Sequence, residues 1–189
     1  ICDLMRAALK KMGAPEDLVI GIETPSLETT NELMRQCDLV LATGGGAMVH
    51  AAYSSGSPAL GVGVGNAVIT VDDTADLDAA AEKIRLSKTL DLAASCSSDN
   101  SVVLLDGIYE PMLEKLKAQG GYLCNEAEKA ALRNTLWDEE LHLNTAIVAQ
   151  PPEKIAQMAG LSIPEETKFF IVPEEGWGPE HPFSGEKLS

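Results

Sequence analysis

"CDLVLATGGGAMVHAAYSSGSPALGVGVGN", residues 37–66, carries the reading of the fold. "CDLVLAT" is a short apolar run of the kind that forms a buried strand. Three glycines, Gly44 to Gly46, follow it, and "AMVHAAYSSG" then has the composition of a helix that ends at a glycine. "PALGVGVGN" begins a second strand-like run. Strand, glycine loop, helix and strand in this order form a βα unit, which calls for a parallel sheet covered by helices.

The alternation continues on both sides. Upstream, Leu4, Met5, Ala8, Leu9 and Met12 recur at helical spacing until Gly13 and Pro15, and "DLVIGIE" reads as a short strand. Ser26 is placed to cap a helix over "LETTNELMRQ". Downstream, "AVITVDD" is another strand, and Thr74 opens a long helix with Leu77, Ala80, Ala81 and Ile84 on one face. "SVVLLDG", "NTAIVAQ" and "KFFIVP" read as strands. "IYEPMLEKLKAQG", "NEAEKAALRNTLW" and the proline-initiated "PPEKIAQMAG" read as helices. The tail from Glu174 is loop-like. The expectation is an α/β protein of mostly parallel sheets flanked by helices, divided into residues 1–71 and 72–189.

The chain has 189 residues, 45% of them apolar and 23% charged, an ordinary globular composition. No window reaches the roughly 18 consecutive apolar residues of a membrane helix, and no basic-then-apolar leader opens the sequence. A net charge of −15 argues against a nucleic-acid partner, which needs a basic surface. Cys2, Cys37, Cys96 and Cys124 form no CxxC pair, which argues against structural zinc or a disulfide framework and for reduced thiols in the cytoplasm. No histidine or carboxylate spacing suggests a metal. Ile1 opens within a helical pattern and the sequence stops at "EKLS" without a closing element, so a piece of a longer polypeptide is expected.

Two stretches carry chemistry. Gly44 to Gly46 can expose backbone amides to an anion at a helix start, though a tight structural turn would use the same residues. Cys96 lies in "AASCSSDN", among small and polar residues just before a strand. A core cysteine keeps apolar company. Cys96 is therefore either an idle loop thiol or a nucleophile with room for a substrate above it. Trp137 and Trp177 read as packing residues.

Taken in order, "LATGGGAMVHAAYSSGSPALGVGVGN", "VDDTADLDAAAEKIRLSKTLDLAASCSSDNSVV" and "EKLS" resemble the CoA-acylating aldehyde dehydrogenases. The aldehyde domain of bifunctional aldehyde–alcohol dehydrogenases and the acylating sulfoacetaldehyde dehydrogenases are the nearest in kind. The resemblance implies that Cys96 is the nucleophile, and that Thr43, Gly44, Gly45 and Gly63 approach a nicotinamide dinucleotide (NAD or NADP). Glu186 would bind its ribose. It further implies a Rossmann-like cofactor part followed by a thiol-bearing catalytic part, coenzyme A and a small aldehyde as substrates, and a homo-oligomeric parent. The family's first Rossmann strands, adenosine pocket, oxyanion-hole asparagine and oligomerisation strand have no counterpart here, so these 189 residues alone are expected to be nearly inactive.

Hydrolytic members of the superfamily carry a glutamate base at a place that aligns with Gly61. Its absence favours transfer of the acyl group to a thiol over hydrolysis. A glutamate installed at Gly61 is expected to restore some hydrolysis. The rival classes are a hydrolytic dehydrogenase giving the free acid and a non-catalytic nucleotide-binding or assembly piece. The aldehyde itself is open between acetaldehyde, sulfoacetaldehyde and other short ones, because no Arg or Lys lies between Thr89 and Glu114 to meet a sulfonate.

Overall fold

The computed structural model describes residues 1–189, which form two compact units, Ile1–Gly63 and Val64–Ser189. In the first unit α1 (Cys2–Lys11) and a 3-10 turn (Glu16–Leu18) precede α2 (Leu27–Gln36), β1 (Val40–Thr43), α3 (Gly46–Tyr53) and β2 (Ala59–Val62). The Ser26 hydroxyl caps α2 by accepting the Thr29 amide at 3.0 Å. β1 and β2 run parallel, with Val40 opposite Ala59 and Thr43 opposite Val62. Met34, Val40, Ala42 and Ala52 form the small core between this pair and its helices. α3 lies very close to β2, because the missing Cβ of Gly61 would fall 2.7 Å from Val49 Cγ1 and 2.8 Å from Tyr53 Cε2. The Gly61 amide donates to the Tyr53 hydroxyl at 3.0 Å.

The second unit contains β3 (Ala67–Val71), α4 (Leu77–Thr89), β4 (Asp99–Leu104), α5 (Tyr109–Ala118), β5 (Gly121–Leu123), α6 (Glu126–Leu136), α7 (Pro152–Ala159) and β6 (Phe169–Ile171). Strands pair parallel as β3 with β4 and β5 with β6. One apolar core joins Val71, Ala81, Ile84, Met112, Leu116 and Phe169. Another gathers Leu132, Leu136, Trp137, Ile147, Ile155 and Phe183, with the Trp137 and Phe183 rings edge to face at 4.9 Å. α6 begins in a reciprocal cap: the Asn125 side chain accepts the Glu128 amide while Glu128 accepts the Asn125 amide. α7 ends at Gly160, whose φ of 69° is the left-handed conformation that glycine adopts freely.

Several readings of the sequence need correction. "DLVIGIE" forms only the turn Glu16–Leu18; Ile20 and Ile22 are exposed and no strand lies beside them to take up their backbone groups. "NTAIVAQ" is not a strand but a 3-10 turn over Thr145–Ile147. The Asn144 side chain ties it down, accepting the Ala146 amide and donating to Thr135 O. The long helix starts after Asp76, which caps it; Thr74 instead folds back onto the Asp72 carboxylate. Trp137 is core, whereas Trp177 is 87% exposed and packs nothing. The two compact units meet at Gly63/Val64, and β3, paired with β4, lies in the second.

Gly121 packs where no side chain fits: an added Cβ would lie 2.6 Å from Ile171 Cδ1 and 2.9 Å from Leu116 O. Gly121→Ala is expected to cost about 1–3 kcal/mol, read as a lower urea midpoint at unchanged slope.

Candidate active site

Cys96 sits on a bridge between α4 and β4. After Thr89 the chain passes through Asp91, Leu92 and Ala93 with φ of 51°, 53° and 58°. Left-handed backbone at residues with a Cβ costs on the order of 1–3 kcal/mol each, and such strain gathers at functional sites. Burial of Ala93 helps to hold the turn in place. Beyond it the Ser98 amide donates to Ser95 O at 3.0 Å, and the Ser95 and Ser97 hydroxyls meet at 2.9 Å. The Asp99 amide donates to the Ser87 hydroxyl at 3.0 Å and ties the start of β4 back to α4. Cys96, at the tip of this loop, is exposed.

Three elements meet around it. Gly65 lies between Cys96 and Glu186: a Cβ there would stand 3.3 Å from Cys96 O, 3.8 Å from Cys96 Cβ and 3.6 Å from Glu186 Oε1. The glycine thus lets a thiol-bearing loop between α4 and β4 and a carboxylate from the C-terminal tail line one small cleft. Glu186 Oε1 and Ser98 Oγ are buried without a hydrogen-bond partner. An orphaned polar atom costs about 1–3 kcal/mol, more when charged, so both are set to receive a ligand's donor. The tail that brings Glu186 is anchored at its start, where Lys129 Nζ donates to Pro173 O at 2.6 Å and to Glu174 at 2.9 Å. His181 Nδ1 lies 3.2 Å from the same carboxylate. Burial works against ionisation of Glu174, but the Lys129 and His181 contacts prevail and hold its pKa below the ordinary carboxylate value.

Lys88, in the last turn of α4, also lines this cleft. Burial pushes its ammonium down to about 8, opposed by the neighbouring Asp99 carboxylate. Lys187 is pushed down to about 7 by burial and then by Lys88. Lys88 stands one residue before the window Thr89–Glu114 that showed no cation in the sequence. The turn at 91–93 lets Lys88 and Cys96 line the same small cleft. Gly65 and Ser98 also went unassigned, because nothing in their spacing marks them.

The other predicted residues lie in the first unit. The pairing of Thr43 with Val62 sets Gly44 and Gly63 side by side at the carboxyl ends of β1 and β2, the edge where α/β sheets bind ligands. Space for a Cβ is open at Gly45 and Gly46, and Gly45 caps α3 with no side chain, so an anionic group can approach the helix start closely. The Gly44 amide is already used by Val62 O. These features suit a dinucleotide phosphate. A Cβ at Gly61 would fall 2.7 Å from Val49 Cγ1 and 2.8 Å from Tyr53 Cε2, so any side chain there must displace both. At the surface Asp138, Glu140 and His142 bring ligand atoms within 4.8 Å of one another. The Asp138 carboxylate is there engaged by the His142 amide and ring.

An aldehyde dehydrogenase family model matches residues 1–129, a span that includes the glycine loop, Gly65 and Cys96. The chain belongs to the aldehyde dehydrogenase family. It is 44% identical to the bifunctional aldehyde-alcohol dehydrogenase AdhE of Escherichia coli (strain K12), over 99% of this chain and 21% of that protein. It is likewise 44% identical to a sulfoacetaldehyde dehydrogenase (acylating) of Bilophila wadsworthia, over 99% of this chain and 41% of the relative. An acetylating aldehyde dehydrogenase from Geobacillus thermoglucosidasius superposes with a TM-score of 0.95 at 40% identity, covering all of this chain and 42% of its own.

Two related structures hold ligands. A propionaldehyde dehydrogenase of Rhodopseudomonas palustris with bound propionyl-CoA has a TM-score of 0.86 at 30% identity, covering 95% and 40% of the two chains. An engineered glycolyl-CoA reductase with bound NADP+ has the same TM-score at 29% identity, covering 95% and 41%. The chain thus spans about one to two fifths of the family members named here.

Thiol reactivity follows from exposure. Cys96 is exposed, Cys2 and Cys37 are half-buried, and burial pushes the Cys124 thiol up to about 12, with Glu128 adding to it. Limited iodoacetamide labelling of the full-length protein at pH 8, mapped by mass spectrometry, is expected to modify Cys96 first and leave Cys124 untouched. Gly65→Ala, which places a methyl between Cys96 and Glu186, is expected to slow that labelling several-fold while leaving the unfolding midpoint nearly unchanged.

Proposed function

We propose that the full-length protein is a CoA-acylating aldehyde dehydrogenase, converting a short aldehyde, NAD(P)+ and coenzyme A to acyl-CoA and NAD(P)H, reversibly. The observation that carries this reading is the cleft beside Gly65, lined by the exposed Cys96 and by Glu186, whose Oε1 is buried without a partner. Similarity to enzymes named as acylating, and to structures holding propionyl-CoA or NADP+, supports the same reading.

In the proposed reaction the Cys96 thiolate adds to the aldehyde carbonyl carbon and forms a thiohemiacetal whose oxyanion needs hydrogen-bond donors. The orphaned Ser98 hydroxyl is one donor within the cleft. NAD(P)+, when bound, supplies the hydride acceptor. Thr43, Gly44, Gly45 and Gly63 would admit it closely, and Glu186 would accept from its ribose hydroxyls, satisfying the carboxylate oxygen that has no protein partner. Loss of hydride leaves a thioester on Cys96. The coenzyme A thiol then attacks that carbonyl and displaces the Cys96 thiolate, regenerating the enzyme.

Transfer of the acyl group to coenzyme A over water is supported by Gly65, which lies beside Cys96 and offers no side chain to act as a base. The cleft is small and polar beside Cys96, with Ser95 and Ser98, and Lys88 adds a cationic group. This favours short, polar aldehydes.

Without coenzyme A the acyl-enzyme should accumulate. The full-length protein is expected to give a burst of NAD(P)H equal to its active sites, followed by near arrest, with steady turnover on adding coenzyme A. Steady formation of free acid at full rate in coenzyme A-free buffer would overturn the reading. Gly61→Glu is expected to lower the folded yield and to give no hydrolysis.

A further inference from the structure

We propose that Asn66 and Asn100 are positioning residues, which fix the Glu186 carboxylate in the Cys96 cleft by clamping the two peptide carbonyls that precede it. The proposal rests on the reading of Glu186 as the residue that binds the cofactor.

Asn100 donates both amide hydrogens, to Asn66 Oδ1 at 2.6 Å and to Gly185 O at 2.6 Å. Asn66 passes the chain on, donating to Ser184 O at 2.7 Å, and the Ser101 hydroxyl adds a bond to the same carbonyl at 3.3 Å. The direction of the chain is dictated by its end points: backbone carbonyls only accept, so each side-chain nitrogen must face them. A carboxylate at either position would set oxygen against oxygen.

Asn100 reaches the tail because β4 bulges there. Ala67 pairs with Asp99 but Val68 pairs with Ser101, so Asn100 is the extra residue with no partner in β3. A bulge turns one side chain out of the alternation of its strand, and bulges are over-represented beside active sites. Asn66 stands immediately before β3, directly after Gly65. One end of the sheet therefore supplies both the gap that admits Glu186 and the two amides that grip its approach.

The grip is needed because Glu186 has nothing of its own to hold it. Its Oε1 is buried and unpartnered, so desolvation favours any movement of the tail that returns it to water. On the tail itself, Lys187 Nζ bridges Phe183 O at 2.6 Å and Gly185 O at 2.8 Å, and the Ser184 hydroxyl donates to His181 O at 2.7 Å. These bonds shape the loop. Only the asparagine pair and Ser101 tie its 184–185 carbonyls to the strands beside Cys96.

The test uses the full-length protein with Asn100→Ser, Glu186→Gln and their combination. NADPH and NADH serve as probes in a fluorescence titration, and backbone hydrogen exchange is followed over residues 184–188. Asn100→Ser is expected to weaken dinucleotide binding about tenfold and to speed exchange in that segment about tenfold. The rate of Cys96 alkylation should stay within twofold, a combination that a general loss of structure would not give. The double variant should bind no more weakly than Glu186→Gln alone.

Additive losses in the double variant, or unchanged exchange over 184–188, would overturn the clamp while leaving the role of Glu186 intact. If Glu186→Gln leaves binding untouched, the cofactor role of Glu186 fails, and exchange alone then upholds or overturns the clamp. Should Asn100→Ser fold poorly, Asn66→Ser, which removes both the bond to Ser184 and the oxygen that accepts from Asn100, carries the same test.

Discussion

The site hinges on a close approach at one residue without a side chain. A Cβ on Gly65 would touch both Cys96 and Glu186, so its absence lets the two come to one place. They come from segments ninety residues apart in sequence, so neither can be placed without the other elements of the second unit. Gly65 lies just ahead of β3, β4 ends the Cys96 loop, and the tail returns along the same end of the pair. The parallel pairing of β3 with β4 makes this possible, because it puts the entrances of both strands at one edge.

Different forces hold the three parts. Apolar burial around Val71, Ile84, Met112 and Phe169 fixes the strands and α4. The loop between them contains strained backbone at 91–93, which persists only because α4, Ala93 and the Ser87–Asp99 bond define both of its ends. The tail carries little apolar weight beyond Phe183, and side chains from α6 and the strand ends secure it through carbonyl oxygens. A rigid scaffold thus presents a thiol from a strained loop and a carboxylate from a polar one. Such a division suits a site that must hold its groups still while reactants come and go.

Much of the architecture was legible in the sequence. "CDLVLATGGG" and "AVITVDD" read correctly because apolar runs bounded by glycine or acid have few alternatives. "NTAIVAQ" misled because β-branched composition says nothing about whether a neighbouring strand exists, and the Asn144 side chain offered the backbone a local turn instead. Cys96 stood out because its neighbours are wrong for a core. Lys88, Asn66 and Asn100 did not stand out, since their significance lies in a turn and a bulge that no residue spacing reveals. Gly61 and Gly65 look alike in a run of alternating glycines, and only the fold separates the one packed against α3 from the one beside Cys96.

The distribution of thiols also determines how the protein meets oxidants. Cys124 is shut away and held as a neutral thiol far above physiological pH, so peroxide has little to attack there. Cys96 stands open on its loop among serines. The first oxidation step, to a sulfenic acid, will therefore fall on the atom proposed to do the chemistry, well before it reaches the core. Damage of this kind silences the site without unfolding the molecule, and a small thiol can reverse it.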